Sequence, residues 1–356
     1  MLVRDDWFAI CENLHSAYLI RSHNMPRRPS APKLPELLQR KFDKTGETRG
    51  ASNDAIYQNR VSRTNTVLIP YGSWSQCRPT KQLIYEKGYI VYISPDDYFG
   101  HKDITKKLAA EGLVIGENAL VYYETRKQWT DHSPTALGWD VATKRTSPLG
   151  GKYVARIPAT TAAKDGKKIN RGFAVKKKRG VGIRVYEYAS RKINSQCKTQ
   201  LEALFWMCHD ADTVAMANEM EAAKVAARKA DNLAKCIADQ LLDIARLKDA
   251  RILNNAGKTI CPLCLKELSA QEFFDLMKQA EGREVTDLTN TQVNLFHIEE
   301  LRTGILNHRP YNVGWGHHHC NVVAKDSGII ETLQWMHSVV DRNIAEGHLP
   351  ASSPRD

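Results

Sequence analysis

The sequence predicts a mixed α+β chain: a β-rich segment, then a helical segment, then a small C-terminal module stapled by metal. Three observations carry this. Short β-branched and aromatic runs recur between Asn65 and Tyr188, each bounded by Gly, Pro or Asp. From Ser195 to Asn254 the chain is rich in Ala, Leu, Glu, Lys and Met and has neither Gly nor Pro. Three of the eight cysteines and seven of the twelve histidines crowd into the last hundred residues.

With 356 residues the chain is long for one compact domain. Residues 1–24 predict a short helix with Trp7, Phe8, Ile10, Leu14 and Leu19 as its apolar positions, and Met25 offers an alternative start. Met25–Pro35 holds four prolines and three basic side chains, the composition of an extended linker. The β-rich region, residues 36–194, should contain strands at Thr66–Pro70, Tyr89–Ile93, Ala119–Tyr123, Tyr153–Ile157 and Val181–Tyr188, interrupted by a helix over Asp103–Glu111. Residues 195–256 read as one long helix or two, because Leu233, Ile237, Leu241, Ile244 and Leu247 keep a single apolar stripe. Residues 257–356 form the last module.

No run of about 18 apolar residues exists to span a membrane, and the N-terminus lacks the apolar block of a signal peptide. A cytoplasmic protein is the simplest reading, and eight cysteines are too few for a disulfide scaffold. The net charge of +11 favours a polyanionic partner. Between Lys164 and Lys192 eleven Lys and Arg face two acids, with Lys176, Lys177, Lys178 and Arg179 as the densest run. Such a surface exchanges counterions for contacts on a phosphate backbone; a solvated loop is the alternative.

Cys261-Pro-Leu-Cys264 has the form of a zinc knuckle, and His317-His-His-Cys320 repeats the two-residue gap. Cys261, Cys264, His317 and Cys320 would make a closed structural site, which contributes folding free energy to a module with few apolar residues. The adjacent His318 and His319 leave that choice resting on spacing. Between the two halves, Val293-Asn-Leu-Phe-His297 is a β pattern ending in a histidine. Asn312 follows after fourteen intervening residues, and His317-x-x-Cys320-Asn321 comes next.

In this order of residues the segment Cys261–Asp326 resembles the zinc-binding form of the HNH (ββα-metal) nuclease superfamily. The resemblance implies that His297 activates the attacking water, that Asn312 holds the loop bearing it, and that Asn321 contacts a divalent ion such as Mg²⁺ at the scissile phosphate. Lys325 would neutralise a flanking phosphate. One departure is conspicuous. The residue before the base, commonly a metal-binding Asp or His, is Phe296. A second ligand would then come from His319, with His318, Glu299, Glu300 and Asp287 as further candidates.

A nuclease module joined to a domain of about 150 residues looks like a type II restriction endonuclease, with double-stranded DNA as partner and a homodimer as the default for a palindromic site. Arg60 and Arg63, beside Arg49, Gln58 and Asn59, are candidates for base readout. Three other readings share parts of this evidence: a modification-dependent enzyme holding a flipped base among Trp74, Trp129 and Trp139, a homing endonuclease, and a non-catalytic zinc-stapled DNA-binding protein. Pro95-Asp96-Asp97 with Glu124-Thr-Arg-Lys127 loosely matches a PD-(D/E)xK nuclease core, with one residue too many before the lysine.

Overall fold

The computed structural model describes residues 31–43, 66–81, 83–157, 169–173, 183–277, 291–302, 304–325 and 327–350. The expected N-terminal helix, the readout candidates Arg60 and Arg63 with their neighbours, and Lys176–Arg179 lie outside the described residues.

The β-rich region is a six-stranded sheet. Its strands are β1 (Val67–Pro70), β2 (Tyr89–Ile93), β3 (Ala119–Tyr123), β4 (Tyr153–Ile157), β5 (Ile169–Arg171) and β6 (Ile183–Arg184), in the order β5-β4-β3-β2-β1-β6. All neighbours are parallel except the edge pair β4 and β5. Parallel neighbours need crossovers, and these carry short helices: α2 (Trp74–Cys77), α3 (Pro95–Gly100), α4 (Ile104–Ala110) and α5 (Arg126–Asp131). The sequence showed α4 alone. The others span four to six residues, too short for a helical period to register. They form on local signals instead, as where Ser94 accepts a hydrogen bond from Asp97 N and Thr125 closes a capping box with Gln128.

Both faces of the sheet are covered. Val67, Ile69, Val91 and Ile93 pack on one side with Trp74, Ile104 and Leu108, while Leu68, Ile90, Leu120 and Val154 pack on the other with Ala142 and Leu149. That double burial explains why these strands read as continuous apolar runs rather than alternating ones. The expected strand over 181–188 is shorter, because after Arg184 the chain turns through a 3-10 segment, Val185–Glu187.

The helical segment corrects the sequence reading. It contains four helices, α6 (Arg191–Trp206), α7 (Ala211–Ala217), α8 (Ala222–Ala238) and α9 (Ile244–Asp249). Two of the three breaks are made by ordinary residues in left-handed conformations, Glu219 (φ 71) after α7 and Gln240 (φ 55) after α8. A search for Gly and Pro does not find such ends. The stripe from Leu233 to Leu247 therefore crosses two helices.

No core boundary falls at residue 256. Leu201, Leu204 and Phe205 of α6 share one cluster with Phe273, Phe296, Trp315 and Cys320 of the C-terminal module. Trp315 Nε1 donates to Leu201 O (2.8 Å), Thr259 Oγ1 to Leu204 O (2.5 Å) and Tyr311 N to Gln200 Oε1 (2.8 Å). Helix α1 (Glu36–Asp43) joins the same cluster through Leu38 and Phe42. Among the described residues no helix is long and apolar enough to cross a membrane.

Lys41 of α1 is buried to 5% exposure, and its Nζ donates to Thr291 Oγ1 (2.5 Å) and Val293 O (2.6 Å), where the C-terminal strand Val293–His297 begins. Burial lowers its pKa to about 7. Between that value and the unfolded one, near 10.5, the unfolded chain binds the extra proton. Stability should therefore fall as pH is lowered from about 10 to about 7, then stop changing on this account. Thermal melts across that range should show a smaller pH slope for Lys41→Met than for the wild type. Equal slopes would mean that Lys41 titrates normally.

Candidate metal centre and histidine site

The C-terminal module is a two-stranded antiparallel ribbon, β7 (Val293–His297) and β8 (Val313–His317), followed directly by α10 (His318–Ala324) and then by α11 (Ile329–Ala345). The β-ribbon and α10 occur in the order ββα. The knuckle precedes them. Cys261 N donates to Lys266 O and Leu265 N to Cys261 O, both at 2.9 Å, and Leu265 takes φ 60. This tight reversal points both thiols the same way.

Cys261, Cys264, His317 and Cys320 converge, with their ligand atoms all within 4.8 Å of one another. A tetrahedron of Zn–S bonds of about 2.3 Å has edges of about 3.8 Å, so the cluster is of the right size. Cys264 Sγ lies 3.3 Å from His317 Nδ1. His317 Nε2 faces Glu272 Oε1 at 3.6 Å, the arrangement by which an outer carboxylate fixes a ligating imidazole.

The four groups are electrostatically coupled. Burial pushes the Cys261 thiol up, but hydrogen bonds from His317 and from backbone amides outweigh it and bring it to about 6. Burial also raises Cys320, and repulsion from Cys261 and Cys264 raises it further. Hydrogen bonds to Cys261 and then Glu272 raise His317 to about 10 against the effect of its burial. A dication among these groups would reverse the repulsion that holds Cys320 protonated. Three thiols and an imidazole in this arrangement fit zinc.

His297 ends β7, and its Nε2 lies 3.0 Å from His308 Nδ1. Asn312, 1% exposed, immediately precedes β8. Its Oδ1 accepts from Glu299 N (2.7 Å), and its Nδ2 donates to Asn307 O (2.7 Å). One amide thus closes the loop from both ends. Asn321 is half-buried on α10, and its Nδ2 donates to Leu295 O (3.1 Å), tying the helix to the strand two residues before His297.

Phe296 lies in the core at 1% exposure. A Cβ on Gly316 would come within 2.7 Å of its ring, so that glycine makes room for it. His319 stacks on His317 (centroids 5.4 Å apart, planes 14°), beside the metal cluster. His318 Nδ1 lies 3.2 Å from Asn294 Nδ2. Glu299 pairs with Arg309 at 2.9 Å and Glu300 with Arg302 at 2.5 Å. Asp287 lies outside the described residues, and Lys325 ends α10 exposed.

Two residues that contact these side chains were not singled out from the sequence. His308 figured only in the crowding of histidines, and Glu272 gave no signal at all, since nothing local marks a carboxylate that meets a metal cluster in space.

The other sequence motifs separate. Trp74 is buried beneath the sheet, whereas Trp129 and Trp139 sit around Tyr123, Tyr153 and Tyr98 at the other edge. Asp96 and Glu124 follow the parallel neighbours β2 and β3, and Gln128 Nε2 donates to Asp96 Oδ2 at 2.7 Å. Lys127 is instead engaged with Asp131, one helical turn on.

The family model of the BstXI restriction endonuclease matches residues 40–318, well over half of the chain. The chain belongs to the BstXI restriction endonuclease family. The match runs from α1, through the sheet and the helical segment, to the start of α10. A solved structure of a type II restriction endonuclease is also similar, at 16% identity and a TM-score of 0.26, over 44% of this chain and 57% of that one. The chain thus spans little more than half of that protein's length. None of the curated proteins matches it.

Proposed function

We propose that this member of the BstXI restriction endonuclease family is a site-specific endonuclease that hydrolyses double-stranded DNA, with its catalytic centre in the zinc-stapled ββα module. Membership in the family is what supports the endonuclease reading. The observation that favours an HNH mechanism is the placement of His297 at the end of β7, beside a loop closed at both ends by Asn312. In this reading His297 takes a proton from water as the water oxygen bonds to phosphorus. The bond to the leaving sugar oxygen then breaks, and that oxygen takes up a proton.

Asn312 keeps the His297 loop in register, and Asn321 would hold the catalytic ion. Its N–H side is committed to Leu295 O, which leaves the amide oxygen for a hard cation. Phe296 removes the second protein ligand, but Mg²⁺ is commonly held by one or two side chains together with water and phosphate oxygens. Such an ion would supply positive charge to the phosphate and the leaving oxygen. His319, stacked against His317, is the weaker candidate for this ion. Lys325 and the run Lys176–Arg179 would contact phosphates, Arg60 and Arg63 would contribute to readout, and the DNA-recognition role falls to the sheet domain, residues 36–194. A homodimer is the assembly that matches a two-fold symmetric target.

The test is cleavage of unmodified, methylated and phage DNA by purified protein with Mg²⁺. Discrete fragments from unmodified DNA, abolished by chelation, are the expected result. Cutting confined to modified DNA would select the modification-dependent reading. Binding without cutting under all conditions would select the non-catalytic one.

A further inference from the structure

We propose that His308 is a positioning residue for His297: it accepts a hydrogen bond from His297 Nε2–H and so holds that ring in the tautomer whose Nδ1 is the base. The proposal rests on the reading of His297 as the proton acceptor. Four observations carry it. The two ring nitrogens are 3.0 Å apart, a full hydrogen bond. The ring centroids are 5.3 Å apart with planes at 55°, so the rings meet at their edges rather than stacking. His308 is 2% exposed. Its loop is pinned on both sides, by Asn307 Nδ2 to Glu300 O (2.6 Å) and by the Arg309–Glu299 pair (2.9 Å).

A neutral imidazole has one donor and one acceptor, so the nitrogen carrying the proton decides which one can act as base. With the proton on Nε2 and given to His308, the lone pair of His297 is on Nδ1. When Nδ1 takes the proton from water, the imidazolium keeps the same hydrogen bond to His308, which is then charge-assisted and stronger. His308 plays toward His297 the part that an outer carboxylate or carbonyl plays toward a catalytic or metal-bound histidine.

Two measurements on the full-length, zinc-loaded protein test this. The first is the tautomer of His297, read by ¹⁵N–¹H correlation on ¹⁵N-histidine-labelled protein and assigned by the signal lost in His297→Ala. The Nε2–H form is expected in the wild type and in His308→Gln, whose amide oxygen also accepts. A mixture is expected in His308→Leu. The second is single-turnover cleavage at saturating DNA and Mg²⁺. His308→Leu should be slower by about 10- to 100-fold with unchanged DNA affinity, and His308→Gln should recover most of the rate. An Nδ1–H signature in the wild type, or an equal loss in the Gln and Leu variants, overturns the proposal. If His308→Leu does not fold, the wild-type tautomer and the Gln variant still decide. If His297→Ala cuts at the wild-type rate, the base reading fails by itself, and the tautomer measurement still judges what His308 does.

Discussion

His297→Ala should lose DNA cleavage by about 10²- to 10⁴-fold while keeping its zinc and its DNA affinity, because a general base contributes a factor of that size and acts only as water attacks. The geometry makes this separation clean. His297 lies outside the four-residue candidate metal cluster, and its ring touches His308. Asn321→Ala should also slow cleavage, but with a different signature. Losing the amide oxygen weakens the ion's hold, so higher Mg²⁺ or Mn²⁺ should restore part of the rate, and none should be restored in His297→Ala. Because Asn321 also ties α10 to Leu295 O, a melting curve must accompany the assay. Wild-type rates in His297→Ala would move the centre elsewhere. The carboxylates after β2 and β3, with Asp96 held by Gln128, would be next to test.

Losing the proposed zinc should have the larger effect on the fold. Purified protein is expected to carry about one tightly held zinc per chain, as a closed structural site does, and Cys261→Ser or Cys320→Ser should unfold the C-terminal module. The reason is where these residues sit. Cys261 is fully buried, Cys320 nearly so, and both lie in the cluster that contains Phe205, Phe273, Phe296 and Trp315. Replacing a thiolate ligand by a hydroxyl forfeits metal-binding free energy that is part of the folding free energy. It also leaves the remaining thiols crowded, with Cys320 already pushed up by its neighbours. Because α6 and α1 share this core, the loss should spread beyond the knuckle into the helical segment. Metal analysis and far-UV circular dichroism with and without chelator measure both. A folded, soluble protein without zinc would sink the assignment.

The sequence by itself determined strands β1 to β4 and the four residues that converge as a candidate metal site. β2, β3 and β4 coincide with the expected runs because apolar residues of β-branched or aromatic type, bounded by turn residues, have no other way to bury both faces. The knuckle was legible because two thiols on one ion require a fixed gap, and that gap appears twice. His297, Asn312 and Asn321 were singled out through the resemblance to the HNH superfamily, on which their proposed roles rest.

Only the tertiary structure decided the rest. Parallel pairing and the strand order depend on crossovers whose helices are too short to show a period. The helix breaks after α7 and α8 depend on Glu219 and Gln240 taking left-handed conformations that their residue types do not announce. The partnership of His297 with His308, of His317 with Glu272, and of Lys41 with Thr291 joins residues separated by 11, 45 and 250 positions. Local pattern carries information only over the reach of a turn or a helix face. These contacts are made by the packing of one core, which no single segment encodes.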